Sequence, residues 1–339
     1  MGKKHVNIPI FIPHLGCPNA CVFCNQHTIS GHGEFRIENV EREIDEALAT
    51  VGEEVEAEIA FFGGSFTGID RSLMISLLEL AQSYVRFGRV ESIRLSTRPD
   101  YINEEIISIL SSYSVRTVEL GLQSLDDGVL FASRRGHDVS CAERACRMLK
   151  SAGFELIGQM MIGLPQSTAE KEIFTARRIC ELGADGARVY PTVVFADTEL
   201  SAMLARGAYS PLNTEDAVER TKNVLDIFDA ARVPCIRVGL CASENLRDCS
   251  VAIAGATHAA IGEMAMSALY LERICAELDR RGIWGGGVRI FVARGAVSKA
   301  VGQKRANKSK ICEKYGLEWV KVLEKNEIIG YNIIIEHTV

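Results

Sequence analysis

HLGCPNACVFCNQ (residues 14–26) holds three cysteines, Cys17, Cys21 and Cys24, in a Cys-x3-Cys-x2-Cys spacing. Thiols grouped this closely in a chain that shows no secretory signal are typical of a metal site or a catalytic site. Iron–sulfur clusters are held by cysteine thiolates, usually four for a [4Fe–4S] cluster. Three thiolates in one loop would therefore leave one iron open to a ligand from outside the chain.

Zinc is the alternative occupant of this loop. A structural zinc ion takes four closed ligands, and His14 or His27 would complete the set. Structural cysteines without any bound group are a further alternative. The turn-forming residues Pro18, Asn19 and Asn25 argue against it, because they suit a loop wrapped around something.

The composition is that of an ordinary globular protein. Of the 339 residues, 47% are hydrophobic and 24% are charged, which does not indicate disorder. No run of about 18 apolar residues is present to span a membrane, and MGKKHVNIPIFIPH at the N-terminus lacks the pattern of a signal peptide. We therefore expect a cytoplasmic protein with no membrane partner, whose eleven cysteines are not structural disulfides.

Short apolar strands alternate with amphipathic helices along most of the chain. The predicted strands are 8–12, 58–62, 91–96, 116–121, 156–162, 187–194 and 234–240, and the predicted helices are 38–51, 71–86, 103–112, 138–152, 168–182 and 214–232. Repeated strand–helix units favour parallel pairing, and six of them form an open sheet or a partial barrel of the α/β class. Ligands of such sheets bind at the C-terminal ends of the strands, where the cysteine loop follows the first strand.

The cysteine loop resembles the CxxxCxΦC signature of the radical SAM superfamily, in which Phe23 is the aromatic residue Φ. In that family the open iron of a [4Fe–4S] cluster is chelated by S-adenosylmethionine (SAM). Reduction of the cluster then cleaves SAM to a 5′-deoxyadenosyl radical. The resemblance implies a partial (β/α)6 barrel, cluster ligands Cys17, Cys21 and Cys24, and an external electron donor such as flavodoxin or ferredoxin.

Further motifs follow in the order expected of this family. AFFGGSFTG (60–68) ends the second strand with Gly63, Gly64 and Ser65, where the family's loop binds the methionine amino group of SAM. The motifs are most similar to those of Elongator-type enzymes, and oxygen-independent coproporphyrinogen oxidases share a looser version. The later ones are STRPD (96–100), VELGLQS (118–124), RRGHD (134–138), QMMIGLP (159–165) and the sixth-strand region 188–219.

The same resemblance assigns side chains around SAM. Gln123 and Arg135 are expected near its ribose and carboxylate, because the guanidinium fork suits a carboxylate. Gln159 and Met161 are expected along the adenosine, with core packing as the alternative for Met161. Together with Phe23 and the Gly-Gly-Ser loop, these residues form the predicted cofactor site.

Arg188 and Tyr190 project from the sixth strand and are the candidate catalytic residues facing the substrate. A half-buried core position is the alternative for Tyr190. The resemblance reaches from residue 5 to about 265, so we predict a radical SAM domain over 1–265. Residues 266–339 leave no room for the acetyltransferase domain of Elongator-type enzymes, and the carboxymethylation of wobble uridine is therefore not carried over.

Residues 266–339 are predicted to form a small α/β module. Within it, 286–326 carries ten Lys or Arg against three Glu, a net charge of +7, which leaves −13 for the rest of a chain whose total is −6. Its order of strand (288–293), helix (296–301), GQKR (302–305), helix (306–316) and two strands (317–324 and 328–336) is similar to a KH module, whose GxxG loop clamps a nucleic-acid backbone. A cap over the radical domain is the alternative. The candidate RNA contacts are Lys299, Lys304, Arg305 (in place of the second glycine) and Lys308.

Three classes of function stay open. A radical SAM enzyme that modifies RNA, with tRNA as the expected partner, is favoured by the Elongator-type motifs and the basic module. The alternatives are a radical SAM enzyme acting on a small molecule such as a porphyrin, and a non-catalytic iron–sulfur RNA-binding protein. An auxiliary cluster is also conceivable, although the spacing of its candidate ligands matches no compact motif; they are Cys235, Cys241, Cys249 and Cys275.

Overall fold

A computed structural model of the chain describes residues 4–12, 17, 21–24, 35–52, 54–240, 246 and 248–338. Several residues named above lie outside this described part. They are His14, Pro18, Asn19, Asn25, His27 and Cys241.

Strands and helices alternate along the first two thirds of the chain. The elements up to the sixth strand are β1 (Lys4–Ile12), α1 (Ile37–Thr50), β2 (Val55–Gly63), α2 (Arg71–Arg86), β3 (Ser92–Thr97), α3 (Glu104–Ser111), β4 (Val115–Gln123), α4 (Asp127–Ala132), α5 (Val139–Ser151), β5 (Glu155–Ile162), α6 (Ala169–Glu181) and β6 (Gly186–Pro191). They are followed by β7 (Val193–Phe195), α7 (Glu199–Ala205), α8 (Thr214–Ala230), β8 (Cys235–Val238) and β9 (Ala252–Gly255).

Seven of these strands form one curled parallel sheet, a half-barrel, in the order β1-β2-β3-β4-β5-β6-β8. The predicted partial barrel of the α/β class is thereby confirmed. One face of the sheet is apolar, because alternate side chains such as Ile59, Leu95 and Leu120 are buried in the main core with the helices. The residues between them, such as Arg94 and Glu119, point to the opposite, concave face, which is where a ligand would lie.

The sixth strand is shorter than predicted. We expected one strand over 187–194, but β6 ends at Pro191 and β7 begins at Val193. Thr192 is where the chain passes from one sheet to the other. Its backbone N–H and its hydroxyl both donate to the carbonyl of Ile162 in β5, at 2.8 and 2.6 Å, and its carbonyl accepts from the N–H of Ala256, which follows β9, at 3.0 Å. The chain then leaves the large sheet, and β7 pairs antiparallel with β9, a strand that the sequence pattern did not predict.

The C-terminal part forms a second, smaller sheet. Its elements are α9 (Ile261–Arg281), β10 (Gly287–Val292), α10 (Val297–Val301), α11 (Ala306–Tyr315), β11 (Trp319–Glu324) and β12 (Ile334–Thr338). The strand order is β11-β10-β12, with β11 parallel and β12 antiparallel to β10. A strand predicted over 328–336 begins only at Ile334, because Tyr331 is held in a loop by the carboxylate of Asp229, 3.3 Å from its backbone nitrogen.

Helix α9 connects the two sheets. Ala265 and Leu269, in its first half, pack with Leu225 of α8, whereas Ile274 and Leu278, in its second half, belong to the core of the small sheet. The predicted domain boundary at 265 therefore falls inside a continuous helix. Although α9 has 21 residues, no helix in the described part of the chain is both long and apolar enough to cross a membrane.

Candidate active site

Cys17 and residues 21–24, the described part of the cysteine loop, lie at the C-terminal edge of the half-barrel. Residues 21–24 form a turn, in which the Cys24 N–H donates to the Cys21 carbonyl at 3.0 Å. Between them, Val22 donates to the carbonyl of Ser133 at 3.2 Å and accepts from the N–H of Leu200 at 2.7 Å. The turn is thus held between the end of α4 and the start of α7.

The three cysteines differ in exposure: Cys21 is buried, and Cys17 and Cys24 are half-buried. Within the described ranges, no group of three or more His, Cys, Asp or Glu side chains is arranged to hold a metal ion. Ligation by this trio therefore stays a prediction. Phe23 packs against the apolar cluster that contains Val22 and Leu200, and its place at the cofactor stays a prediction.

Two arginines flank the buried thiol. Arg135 Nη1 lies 3.2 Å from the Cys21 sulfur and Arg98 Nη1 lies 3.7 Å from it. Arg98 is fixed by a two-bond pair with Asp100, at 2.9 Å for each bond, and by the carbonyl of Arg135. Burial raises the pKa of the Cys17 thiol, and the charges of Arg98 and Arg135 act in the opposite direction. Two cations beside the loop favour thiolates and an anionic bound group.

The glycine loop after β2 approaches the end of β1 very closely. Gly63 has a φ of +113°, and a Cβ added there would lie 2.3 Å from the carbonyl oxygen of Ile12. The same oxygen accepts from the Gly64 N–H at 3.2 Å. Only glycine tolerates both this positive φ and this close approach to the Ile12 carbonyl, which explains the first glycine of the Gly-Gly pair.

Ser65 joins this loop to the next strand and to the cysteines. Its buried hydroxyl lies 2.8 Å from the hydroxyl of Thr97 and accepts from the backbone N–H of Arg98 at 3.2 Å. A hydrogen bond from the Ser65 backbone lowers the pKa of Cys17, against the larger effect of burial. The predicted glycine loop and the cysteine loop are therefore neighbours in the structure.

Gln123 and Arg135 each carry a buried polar atom without a hydrogen-bond partner among the described residues: Gln123 Oε1 and Arg135 Nε. Gln123 ends β4 at an irregularity in its pairing with β5 and has a φ of +65°, a conformation that is costly for any residue but glycine. Arg135 Nη2 donates to the Gly121 carbonyl at 2.6 Å. Buried polar groups without a partner require an explanation, and a polar cofactor in contact with both atoms would supply one.

The predicted catalytic and adenosine-side residues lie on the concave face of two adjacent strands. Gln159 and Met161 of β5 are in register with Arg188 and Tyr190 of β6. Arg188 Nη1 donates to the Tyr190 hydroxyl at 3.3 Å, and its guanidinium lies 5.3 Å from the ring centroid of Phe62. The structure thus brings these four residues together, while their roles stay predictions.

A buried charge network lies behind Arg188, and the sequence pattern did not predict it. Arg188 Nη2 donates to Glu119 at 2.7 Å, and Arg94 donates to the same Glu119 oxygen at 3.0 Å and to Glu58 at 2.7 Å. Both carboxylates are 2% exposed, and two guanidinium groups balance their charge. The sequence does contain a sign of this network: charged residues at alternate positions of otherwise apolar strands. Such residues must face the polar side of the sheet.

Two family models match this chain: the radical SAM superfamily over residues 11–177, and the Radical_SAM C-terminal domain over residues 184–273. The chain belongs to the radical SAM superfamily. It is therefore an enzyme that uses a [4Fe–4S] cluster and SAM, although the matches do not specify its reaction.

Relatives of this radical SAM enzyme include Elongator-type proteins. A tRNA uridine(34) acetyltransferase from Methanocaldococcus infernus is 34% identical over 137 residues, which cover 39% of this chain and 25% of the relative. Elongator complex protein 3 from Mus musculus is 30% identical over 142 residues, 41% of this chain and 26% of that protein. The chain thus spans about a quarter of these relatives. The structure of the Methanocaldococcus infernus Elp3 shares the fold, with a TM-score of 0.59 at 19% identity over 83% of this chain and 64% of that one.

The residues present suit the two cofactors of this radical SAM enzyme. Cys17, Cys21 and Cys24 would hold the cluster, and the orphaned atoms of Gln123 and Arg135 would bind polar groups of SAM. When bound, the cluster and SAM would together supply one-electron reduction and radical chemistry at the concave face. The protein's own contribution is the positively charged rim around Cys21 and the fixed concave wall, which orient the reactants and exclude water.

Proposed function

We propose that this radical SAM enzyme modifies an RNA, with tRNA as the substrate class. The observation that carries the proposal is the Gly302–Arg305 loop of the basic C-terminal module. Lys304 and Arg305 are exposed there and have φ angles of +50° and +64°. Neither has an ion-pair partner among the residues that the structure describes. Two uncompensated cations in a tight loop before α11 suit a nucleic-acid backbone.

The loop is held by a buried asparagine. Asn307 donates from Nδ2 to the carbonyl oxygens of Ser267 and Ala300, at 2.8 and 3.1 Å. A Cβ at Gly302 would lie 3.0 Å from the Asn307 side chain, so the first glycine of the KH-like pattern allows this close packing. Lys299 and Lys308, on the flanking helices, are half-buried. They complete a basic surface that we propose as an RNA contact in a KH-like module.

The relatives support tRNA as the partner, since the matched region belongs to proteins named for acting on tRNA uridine. The concave wall also suits a nucleobase. Arg188 Nε is buried without a partner among the described residues, and Gln159 beside it carries both a donor and an acceptor. A base turned out of its stack can be read by such groups.

A small molecule with carboxylates is the second candidate substrate. Arg188 and Arg237 are neighbours in register on β6 and β8, and paired arginines suit carboxylate groups. Such a substrate would need only the half-barrel and not the basic module. RNA binding by the module therefore separates the two candidates.

Our proposal includes an external electron donor such as flavodoxin or ferredoxin and a cytoplasmic location. The groove that opens beside the cysteine loop, about 1160 Å³ in volume and lined by Val22 and the exposed Phe131, supports the approach of a donor from this side. A reducing compartment suits cysteines that are predicted to bind a cluster as thiolates.

Reversing two charges tests the RNA proposal. Lys304→Glu with Arg305→Glu should weaken RNA binding for all sequences alike, and should reduce the salt dependence of log K by about one to two units, because fewer counterions are released. The measurement is fluorescence anisotropy of a labelled tRNA over a range of salt concentrations. Formation of 5′-deoxyadenosine in the absence of RNA should be unchanged, because the half-barrel is not altered.

The matched control is Arg86→Glu with Arg89→Glu, the same double reversal in the radical domain. It should leave the salt slope near that of the parent protein. If the Lys304/Arg305 variant binds tRNA as the parent does, or if the parent binds none at low salt, the module is a cap and the small-molecule candidate takes precedence.

A further inference from the structure

The small C-terminal sheet has one face that no described element covers. Its inner face, with Val288, Ile290 and Val292 of β10, belongs to the core formed with α9 and α11. The alternate residues point the other way. We call this the outer face; it consists of Arg289, Phe291, Trp319, Lys321, Leu323, Ile334 and Glu336, with Lys325 at its end.

The apolar side chains on the outer face reach solvent to different extents, and the rings of Phe291 and Trp319 are half-buried. Leu323 and Ile334 are 41% and 45% exposed, and both are in register with Phe291 on the central strand. Trp319 lies across Gly287, since a Cβ there would come within 2.0 Å of the indole ring. The glycine thus makes room for the tryptophan to lie flat on the sheet. An exposed apolar patch of this kind marks a binding surface.

Cations accompany the two aromatic rings. Lys321 Nζ is 5.8 Å from the Trp319 ring, and Lys325 Nζ is 6.0 Å from the Phe291 ring. In the described part of the chain neither lysine has an ion-pair partner. Arg289 forms a long ion pair with Glu336, 3.7 Å between the nitrogen and the oxygen. The outer face therefore carries three cations and one carboxylate, within a chain whose net charge is negative.

We propose that the outer face is a second RNA-binding surface, which stacks unpaired bases on Phe291 and Trp319 and contacts phosphates through Lys321 and Lys325. This inference rests on the proposed RNA substrate. Aromatic rings on an open sheet bind single-stranded bases in this way. The two rings lie about 13 Å apart along the strand direction, from four residues at the strand rise. That spacing suits two bases of an extended strand and not a rigid duplex.

A second copy of this chain is the competing occupant. In a two-fold dimer the same surface would meet itself, so Lys321 and Lys325 would face an equally basic surface. Charge complementarity favours a polyanion over such self-association. Binding of a second copy would instead appear as a concentration-dependent dimer.

The chain offers a direct optical test, because it contains only two tryptophans, Trp284 and Trp319. In a Trp284→Phe background, Trp319 is the single tryptophan reporter. Titration of the holoenzyme with an oligouridylate of about ten nucleotides should quench its fluorescence, because a base stacks on the indole. Adding Phe291→Leu should weaken binding by about 5- to 100-fold while leaving the salt slope unchanged, since a stack is lost and no phosphate contact.

Phe87→Leu, the same substitution at an 81% exposed position of the radical domain, is the matched control and should not change the affinity. Circular dichroism and RNA-free 5′-deoxyadenosine formation verify that Phe291→Leu is folded. Absence of quenching, with affinity unaffected by Phe291→Leu, would overturn this inference alone, because RNA binding would remain. Absence of any RNA binding would overturn the proposed function as well. A concentration-dependent dimer that Phe291→Leu dissociates would assign the face to a second copy.

Discussion

A Cys21→Ala variant should lose the iron–sulfur cluster completely. Anaerobic reconstitution of the parent protein should give about four irons per chain and a broad visible absorption band, and the variant should give neither. The reason is that Cys21 is a predicted cluster ligand and, unlike Cys17 and Cys24, is buried, with its sulfur beside Arg98 and Arg135. Iron and acid-labile sulfide analysis after desalting is the measurement.

Cys249→Ala is the matched control, because it removes an exposed thiol outside the cysteine loop. It should retain the iron content of the parent protein. A lowered iron content in this control would indicate an auxiliary cluster. Iron retained by Cys21→Ala, or stoichiometric zinc in the parent instead of iron, would contradict the assignment of the loop to a [4Fe–4S] cluster.

Glu119→Gln should give the second large effect. The carboxylate of Glu119 is 2% exposed and bridges Arg94 and Arg188. Its loss leaves Arg188 facing a neutral amide and leaves the carboxylate of Glu58 to balance two buried guanidinium groups. Breaking a buried charge network of this kind costs about 3–5 kcal/mol of the free energy of unfolding. Denaturant unfolding of the variant and the parent protein measures the difference.

The exposed pair Glu91–Arg116, 3.1 Å long with both side chains more than 40% exposed, provides the control. Glu91→Gln should cost less than about 1 kcal/mol. Because Glu119 positions Arg188, its replacement should also reduce RNA modification more than RNA-free 5′-deoxyadenosine formation. Equal loss of both activities would show that Glu119 supports only the fold, and an unchanged stability would contradict the charge network itself.

The main features of the half-barrel could be predicted from the sequence, because its strands are short apolar runs separated by amphipathic helices. Local residue patterns also pointed to the cysteine loop and the glycine loop, since Gly63 fits a position that no other residue tolerates. The β7–β9 ribbon was not predictable, because β7 is only three residues long and pairs with a strand that lies far along the chain.

The charge network was missed for a related reason. Glu58, Arg94 and Glu119 lie on three strands that are 25 or more residues apart in sequence, and only the register of the sheet brings them into contact. Arg98 lies within the STRPD motif, but the sequence does not reveal its contact with Cys21, which joins residues 77 positions apart. Side chains that meet across strands need the topology before they can be paired.

The most direct test of the central claim is a search for a modified nucleoside. The reduced holoenzyme is incubated anaerobically with SAM and cellular tRNA, and the RNA is digested to nucleosides for mass spectrometry. Our account predicts that tRNA stimulates 5′-deoxyadenosine formation and that one nucleoside changes in mass only when SAM and reductant are both present. Robust SAM cleavage that tRNA does not stimulate, with every nucleoside unchanged, would contradict it.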